Sequence, residues 1–407
     1  MRQLPASVLP HTLSGALPIK QMQRYRKRIQ RRYIFKRYIQ DVSSIYTRLY
    51  RQVIFFYLSS SLDVREHSET EEQEIKRMLN RILVLLDGST LAQCVLPHAR
   101  AFAAAFAADV TLLRVLELDN TQTQTQVDPV NWHLRKVEAQ SYLSGLLHIW
   151  PQSEAFPHIV LDEGTAVDRV VNYVETHEPN IVMLSTHGQS GLSASSISSV
   201  AHKIIHLLPT SFVLVRARQA LEKDNEITHY KRILVPLDGS RRAECVLPFA
   251  SRLAATHEAE LVLVHVVPQA EMIQRRPLSP EEAHLCEQLQ ERNKAEAAQY
   301  LRQLADQEAL SITTHLLTDA QVPDALINFA NSEQIDLVIL CAHGHSGGKH
   351  RLYGSLITNF IHYSSAALFV IQDLPADQIK SSRISTNAMG GFNPKIAYAQ
   401  PEDWTPN

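Results

Sequence analysis

A chain of 407 residues, 45% hydrophobic and 20% charged with a formal net charge of -2, has apolar material for two or three soluble domains, and its balance argues against the whole chain binding nucleic acid. Four cysteines without a CxxC pair exclude a disulfide framework and supply neither a zinc nor a redox motif, so a reducing, cytoplasmic setting is expected. The longest candidate span, Val53–Leu58, is far too short for a bilayer, and no transmembrane helix is expected.

Residues 1–79 differ in kind from the rest. Arg24, Arg26, Lys27, Arg28, Arg31, Arg32 and Lys36 crowd together with no acid before Asp41. Tyr25, Ile29 and Tyr33, then Phe35, Ile39, Val42 and Tyr46, recur at roughly helical spacing. Three readings stay open: a basic amphipathic helix on an anionic membrane or RNA, an extension without fixed order, or a segment outside the native coding sequence, since Met78 stands directly before the first regular strand. The composition also resembles an organelle transit peptide, without a cleavage pattern. No domain is assigned here.

From residue 80, short apolar runs alternate with helical periodicity, which predicts parallel strands joined by crossover helices. In chain order these are strand Arg81–Leu86, helix Leu91–Ala107, strand Val110–Leu116, helix Val130–His148, strand His158–Leu161, helix Ala166–His177, strand Ile181–Ser185, helix Ser198–Leu208 and strand Phe212–Val215. A charged stretch without apolar period, Arg218–Tyr230, reads as a linker. The same order follows: strand Arg232–Leu237, helix Ala243–Thr256, strand Glu260–Val267, helix Pro280–Asp306, strand Ile312–Leu317, helix Pro323–Ser332, strand Leu337–Cys341, helix Ser355–His362 and strand Ala367–Ile371. Pro97 and Pro248 fall inside the predicted first helices, where a proline costs about 3 kcal/mol, so both helices are expected to kink. Residues 374–407 lack periodicity and are expected to be mostly disordered.

The second half repeats the first. Arg81-Ile-Leu-Val-Leu-Leu-Asp87-Gly-Ser89 returns as Arg232-Ile-Leu-Val-Pro-Leu-Asp238-Gly-Ser240, and Cys94-Val-Leu-Pro97 as Cys245-Val-Leu-Pro248, both 151 positions on. Asn180 to Gly188 matches Asp336 to Gly344 at an offset of 156. Two homologous domains therefore stand in tandem, at 80–217 and 231–373, each a doubly wound α/β unit of five parallel strands and four helices.

In such sheets a ligand binds beyond the carboxyl ends of the strands. Asp87 or Asp238, ending strand one, suits either a ribose or adenine amino partner or an N-cap. At the end of strand two, the backbone of Val115 or Val266 is placed to meet a base edge. After strand four, a glycine-bearing loop leads into a helix N-terminus, which is an anion site.

The Asp-Gly-Ser strand end, the Ala/Thr-His-Gly loop and the element order resemble the universal stress protein family over residues 80–216 and 231–373. Its nucleotide-binding members carry G-x2-G-x9-G-[S/T] after strand four. The resemblance implies strand order 3-2-1-4-5, a cleft between strands one and four, and ATP, ADP or AMP as ligand, with or without Mg2+. It also implies pairing through the last strands, Phe212–Val215 and Ala367–Ile371, within one chain or in a homodimer.

In the second domain the pattern reads Cys341-Ala-His343-Gly344, nine residues, then Gly354-Ser355, so only the first glycine is missing. Gly344 and Gly354 let phosphate approach the backbone, Ser355 opens the helix, and Lys349, His350 and Arg351 supply cations; a solvated basic loop is the alternative. The expected nucleotide set is Asp238, Val266, His343, Gly344, Lys349, Arg351, Gly354 and Ser355. In the first domain Asp87, Val115, Gly188, Ser198 and Ser199 form a weaker set, because serine replaces two of the three glycines and the loop has no Lys or Arg.

Other chemistry finds less support. His343, His345 and His350 have no carboxylate or cysteine at ligand spacing apart from Cys341, and His202 and His206 lack the glutamate of HExxH and read as surface. There is no GxSxG elbow and no Walker motif, so no catalytic residue is assigned and hydrolysis is expected to be slow at most. Cys94 and Cys245 read as small buried hydrophobes. The expected role is a nucleotide-dependent conformational or assembly switch. The alternative is a nucleotide-free module that binds an unknown protein partner.

Overall fold

The strand and helix predictions all find a counterpart in the computed structural model, which describes residues 79–117, 128–150, 156–189, 191, 197–217, 228–269, 279–306, 310–344 and 353–373. The readings of residues 1–78 and 374–407, and of Lys349, His350 and Arg351, lie outside the described residues. In the first half the elements are β1 (Arg81–Leu86), α1 (Val95–Phe106), β2 (Asp109–Leu116), α2 (Pro129–Ile149), β3 (His158–Glu163), α3 (Ala166–His177), β4 (Ile181–Ser185), α4 (Ser199–Leu207) and β5 (Ser211–Val215). In the second they are β6 (Arg232–Pro236), α5 (Arg241–Glu244), α6 (Leu247–His257), β7 (Glu260–Pro268), α7 (Pro280–Ala305), β8 (Ile312–Asp319), α8 (Val322–Ser332), β9 (Leu337–Cys341), α9 (Ser355–Tyr363) and β10 (Ala367–Ile371). Among the described residues no helix is long and apolar enough to cross a membrane.

The two prolines act differently from the expected kink. A proline ring clashes with the carbonyl four residues earlier, here that of Gln93 or Glu244. The helix is broken at that point. A single 3-10 turn, Ala92–Cys94, precedes α1, and α5 ends at Glu244 before α6 begins. Pro97 and Pro248 then stand in the first turns of α1 and α6, where an N–H has no intrahelical acceptor to lose.

The ten strands form one sheet in the order β3-β2-β1-β4-β5-β10-β9-β6-β7-β8. Each half has the order 3-2-1-4-5 and is parallel throughout. The halves meet where β5 pairs antiparallel with β10, with Phe212 opposite Val370, Val213 opposite Phe369 and Leu214 opposite Leu368. Val213 and Phe369 are equivalent in the repeat, so a local twofold passes between them, as in an isologous dimer. From Phe212 to Val215 and from Ala367 to Val370 every residue is fully buried. Left bare, either strand would be an apolar edge open to aggregation, and pairing within the chain removes both edges.

Strand residues alternate between two cores. Ile82 and Val84 join α1, α2, α6 and α7 on one face, whereas Leu83 joins α3, α4, α8 and α9 on the other. Both layers run across the seam. On the first face Phe102 meets Phe369 edge-on at 5.1 Å between ring centroids, and the Arg252 Nε donates to the Ala105 carbonyl at 2.7 Å. Tyr230, read from sequence as the end of a linker, is instead a core residue, 1% exposed, with its hydroxyl 2.7 Å from His98 Nδ1. On the second face the Arg216 guanidinium donates to the Phe360 carbonyl at 2.6 Å and the Ile361 carbonyl at 2.7 Å, both at the C-terminal end of α9. Burial pushes Arg216 down to about 10, which leaves it charged at neutral pH.

Among the described residues, His206, His257, His265 and His362 are held below the ordinary histidine value of 6.5, chiefly by burial. A depressed imidazole binds its proton more readily in the unfolded chain, so its contribution is fully present above about pH 6.5 and is lost as pH falls below that value. Thermal melts are expected to shift downward between pH 7.5 and pH 5.5, and the shift should shrink in a His257→Gln, His265→Gln variant. An equal shift in that variant would locate the acid sensitivity elsewhere.

Candidate functional site

Each first strand ends in an Asp-Gly-Ser turn whose glycine takes a left-handed backbone, φ +91° at Gly88 and +78° at Gly239, which a side chain would oppose. Between the two readings of the aspartate, the capping role goes to the serine. The Ser89 Oγ accepts from the Ala92 N–H at 3.1 Å, and the Ser240 Oγ from the Ala243 N–H at 3.2 Å. The aspartate holds the serine in place: Asp87 Oδ1 accepts from the Ser89 N–H and hydroxyl at 2.9 and 2.7 Å, and Asp238 Oδ1 from Ser240 at 3.0 and 2.5 Å.

The other carboxylate oxygen reaches the loop after strand four. The Gln189 N–H donates to Asp87 Oδ2 at 2.6 Å, and the Gln189 side-chain amide donates to the Asp87 carbonyl at 2.7 Å. A Cβ on Gly188 would lie 1.7 Å from Asp87 Oδ2, and one on Gly344 would lie 2.3 Å from Asp238 Oδ2. Sequence reasoning explained this glycine by the approach of a phosphate. In the structure it makes room for the aspartate that ties strand one to strand four.

The loops end at equivalent points, with the Ser198 N–H donating to the Thr186 carbonyl at 2.7 Å and the Gly354 N–H to the Ala342 carbonyl at 3.0 Å. Their helix starts differ. Ser198 caps α4, its Oγ accepting from the Ala201 N–H at 3.2 Å. Gly354 has no side chain, and no side-chain hydrogen bond caps α9. Among the described residues, a Cβ there would meet only the Ala342 carbonyl, in ordinary contact at 3.7 Å. Ser199 and Ser355 are both exposed as the first residues of their helices.

Strand two closes the cleft from the far side. Pairing with strand one ends at Arg114 and at Val264, so Val115 and Val266 run past the end of the first strand. The Arg114 side chain folds back over Gly88, where a Cβ would lie 2.5 Å from its Nη2, and its guanidinium sits 5.0 Å from the centre of the Tyr142 ring. At the equivalent place in the second half stands His265, with Tyr300 at 6.3 Å between ring centroids, and no described atom lies within 4 Å of a Cβ built on Gly239. The Tyr300 hydroxyl donates to Glu244 Oε1 at 3.0 Å. Burial raises the Glu244 carboxyl above its usual range, against the pull of that hydrogen bond. The first half therefore has its own arginine over Gly88, whereas in the second half no described side chain lies over Gly239, and the Glu244 carboxyl stands nearby.

Sequence reasoning passed over the Arg114 and His265 side chains, Glu244 and the two tyrosines. The repeat offset of 151 does place Arg114 opposite His265 and Gln93 opposite Glu244, but Tyr142 and Tyr300 do not share it.

His343, expected to line the site, is 2% exposed, with Nδ1 at 2.6 Å from Asp373 Oδ1. Arg242 Nε donates to Asp373 Oδ2 at 2.6 Å. This chain of three charges and dipoles anchors the base of the second loop. The first half has Leu91 and Ala217 in place of Arg242 and Asp373. Beside it, contact with Cys341 and burial raise the Cys245 thiol well above its ordinary value, and burial alone pushes Cys94 to about 12, so these cysteines are inert packing groups.

A family model described as the universal stress protein family matches residues 78–216 and 229–372. Universal stress protein A homolog 1 of Coxiella burnetii is 26% identical over 143 residues, covering 35% of this chain and 96% of that protein. Universal stress protein MJ0577 of Methanocaldococcus jannaschii is 24% identical over 157 residues, 35% of this chain and 95% of that protein. Among solved structures, a universal stress protein from Archaeoglobus fulgidus shares the fold with a TM-score of 0.52 at 16% identity, over 72% of this chain and 98% of that one.

Proposed function

Because this chain belongs to the universal stress protein family, we propose that it is a stress-response protein that binds ATP, or its ADP or AMP counterparts, in its second half as a conformational or assembly switch. The observation that carries this reading is the contrast between the helix starts: α4 is capped by its own Ser198, whereas α9 begins at Gly354 with no side-chain cap. First-turn N–H groups without a cap, at the positive end of a helix dipole, attract phosphate. The absence of any described atom within 4 Å of a Cβ on Gly239, compared with the arginine over Gly88, favours the same half. One solved universal stress protein is in complex with cAMP.

In this reading the first turn of α9 and the Ser355 hydroxyl hold phosphate oxygens, with Lys349 and Arg351 neutralising their charge. Asp238 and Glu244 face the ribose side, and the Val266 backbone faces the base. A Mg2+ ion would arrive with the triphosphate. The same helix offers a route from site to seam. Its N-terminus holds the phosphates, and its C-terminal carbonyls receive Arg216 from the first half. A nucleotide shifts such a pairing only by binding one arrangement more tightly than the other.

Calorimetric titration of ATP and AMP into the full chain tests the reading. One equivalent per chain is expected, with affinity at least about tenfold weaker in a Gly354→Val, Ser355→Ala variant, a loss of about 1.4 kcal/mol. If the unaltered chain takes up no adenine nucleotide, the nucleotide-free partner module replaces this reading.

A further inference from the structure

We propose that α7 is a docking surface for a second copy of this chain, the two α7 helices pairing antiparallel about a twofold axis at the level of Glu287. Within the chain β5 and β10 already occupy each other's edge, so a second copy needs another surface. α7 has 26 residues where α2 has 21. The buried side chains of the two helices correspond, Ala139, Leu143 and Leu146 to Ala297, Leu301 and Leu304, each 158 positions on. On that match Pro280 to Cys286 have no helical counterpart in the first half. The buried side chains of α7 all lie in its last third. The turns before them gain little from packing within the chain, which is where most helical stability arises. Two large apolar side chains stand in those turns, Leu285 at 64% and Leu289 at 51% exposed.

The charges beside these leucines select the occupant. Glu282, Leu285, Leu289, Arg292 and Glu296 follow one another at intervals of three, four, three and four, the seam spacing of a coiled coil. An antiparallel pair centred at Glu287 sets Leu285 against Leu289 of the second copy and Glu282 against Arg292 of the second copy. The twofold repeats both layers, so two leucine layers are flanked by two ion pairs. A parallel pair in register would instead set Glu282 against Glu282 and Arg292 against Arg292, and repulsion disfavours it. The charges can take these partners. Arg292 Nε donates to Glu296 Oε1 at 2.9 Å, but both side chains are well exposed, and such a pair within one helix holds little energy. Glu282 Oε2 accepts from the Ser279 N–H at 2.8 Å, and a carboxylate has further lone pairs for a guanidinium. The Lys294–Glu291 pair, at 2.8 Å, lies round the helix from the seam. Four layers make an interface smaller than about 1,200 Å2, which suits reversible association in the micromolar range. This surface does not depend on the nucleotide reading.

The test is sedimentation velocity on the full chain, from one micromolar to several hundred. The expected result is a monomer–dimer equilibrium. In a Leu285→Ser, Leu289→Ser variant the dimer is expected to be at least about tenfold weaker, with the melting temperature of the monomer unchanged because both side chains are exposed. Arg292→Glu should weaken the dimer about fivefold, and adding Glu282→Arg to it should restore the affinity, since the exchanged charges again oppose each other across the twofold. A chain that stays monomeric throughout the range would overturn the proposal and leave the stripe to a partner of different sequence. Association of the serine variant equal to that of the unaltered chain would overturn it too, because the dimer would then form elsewhere. A charge-exchanged variant as weak as Arg292→Glu alone would overturn the antiparallel register.

Discussion

Arg216→Leu is expected to destabilise the chain by about 3 kcal/mol, the largest single effect at the seam. The guanidinium is 8% exposed and charged, and it forks onto two carbonyls in the last turn of α9. Leucine fills much of the volume but takes the donor from the Ile361 carbonyl and leaves the Phe360 carbonyl with only the Ser364 N–H, and it removes a cation from the negative end of the helix. Arg216→Lys should give an intermediate loss, because one ammonium cannot reproduce the fork. Urea unfolding of the full chain measures this. A lower midpoint is expected, with the single transition splitting in two as the halves lose their coupling. A midpoint unchanged in Arg216→Leu would show that the β5–β10 pairing and the aromatic contacts suffice by themselves.

Gly344→Ala is expected to abolish nucleotide binding and to cost about 2 kcal/mol of stability, although it adds only one methyl group. The new Cβ would lie 2.3 Å from Asp238 Oδ2, so either the aspartate leaves the loop or the loop leaves the strand ends. Either movement displaces the entry to α9. Gly188→Ala meets an even closer carboxylate, at 1.7 Å, and should destabilise to a similar degree. It should leave nucleotide affinity unchanged, because that cleft is already covered by Arg114 and its helix is capped by Ser198. Combining Gly344→Ala with Asp238→Ala removes the clash, and the double variant should be more stable than the sum of the single effects. Additive losses would mean that the glycine is required for some reason other than the carboxylate.

These two sites differ in how far the chain itself announced them. The Asp-Gly-Ser turns, the strands and the tandem repeat were legible because each is a local pattern: an unbroken apolar run, a turn residue, a cap. The order 3-2-1-4-5 and the pairing of the last strands came from family resemblance, and the structure bears out both. The prolines show how a local rule errs. The cost of a proline within a helix was right, but the helix was assumed to be continuous, and the break at Glu244 places Pro248 where that cost vanishes.

The sequence by itself determined that two copies of one α/β domain stand in tandem, roughly where each strand lies, and that the first loop has Ser198 where the second has Gly354. Only the tertiary structure decided that Gly344 accommodates Asp238, that Arg114 lies over Gly88 while no described side chain lies over Gly239, that Tyr230 belongs to the core, and that His362 comes near His202 across the seam. The reason is physical. Periodicity and turn chemistry act over a few neighbouring residues, whereas these contacts join side chains from strands and helices far apart in the chain, which meet only once the sheet has formed.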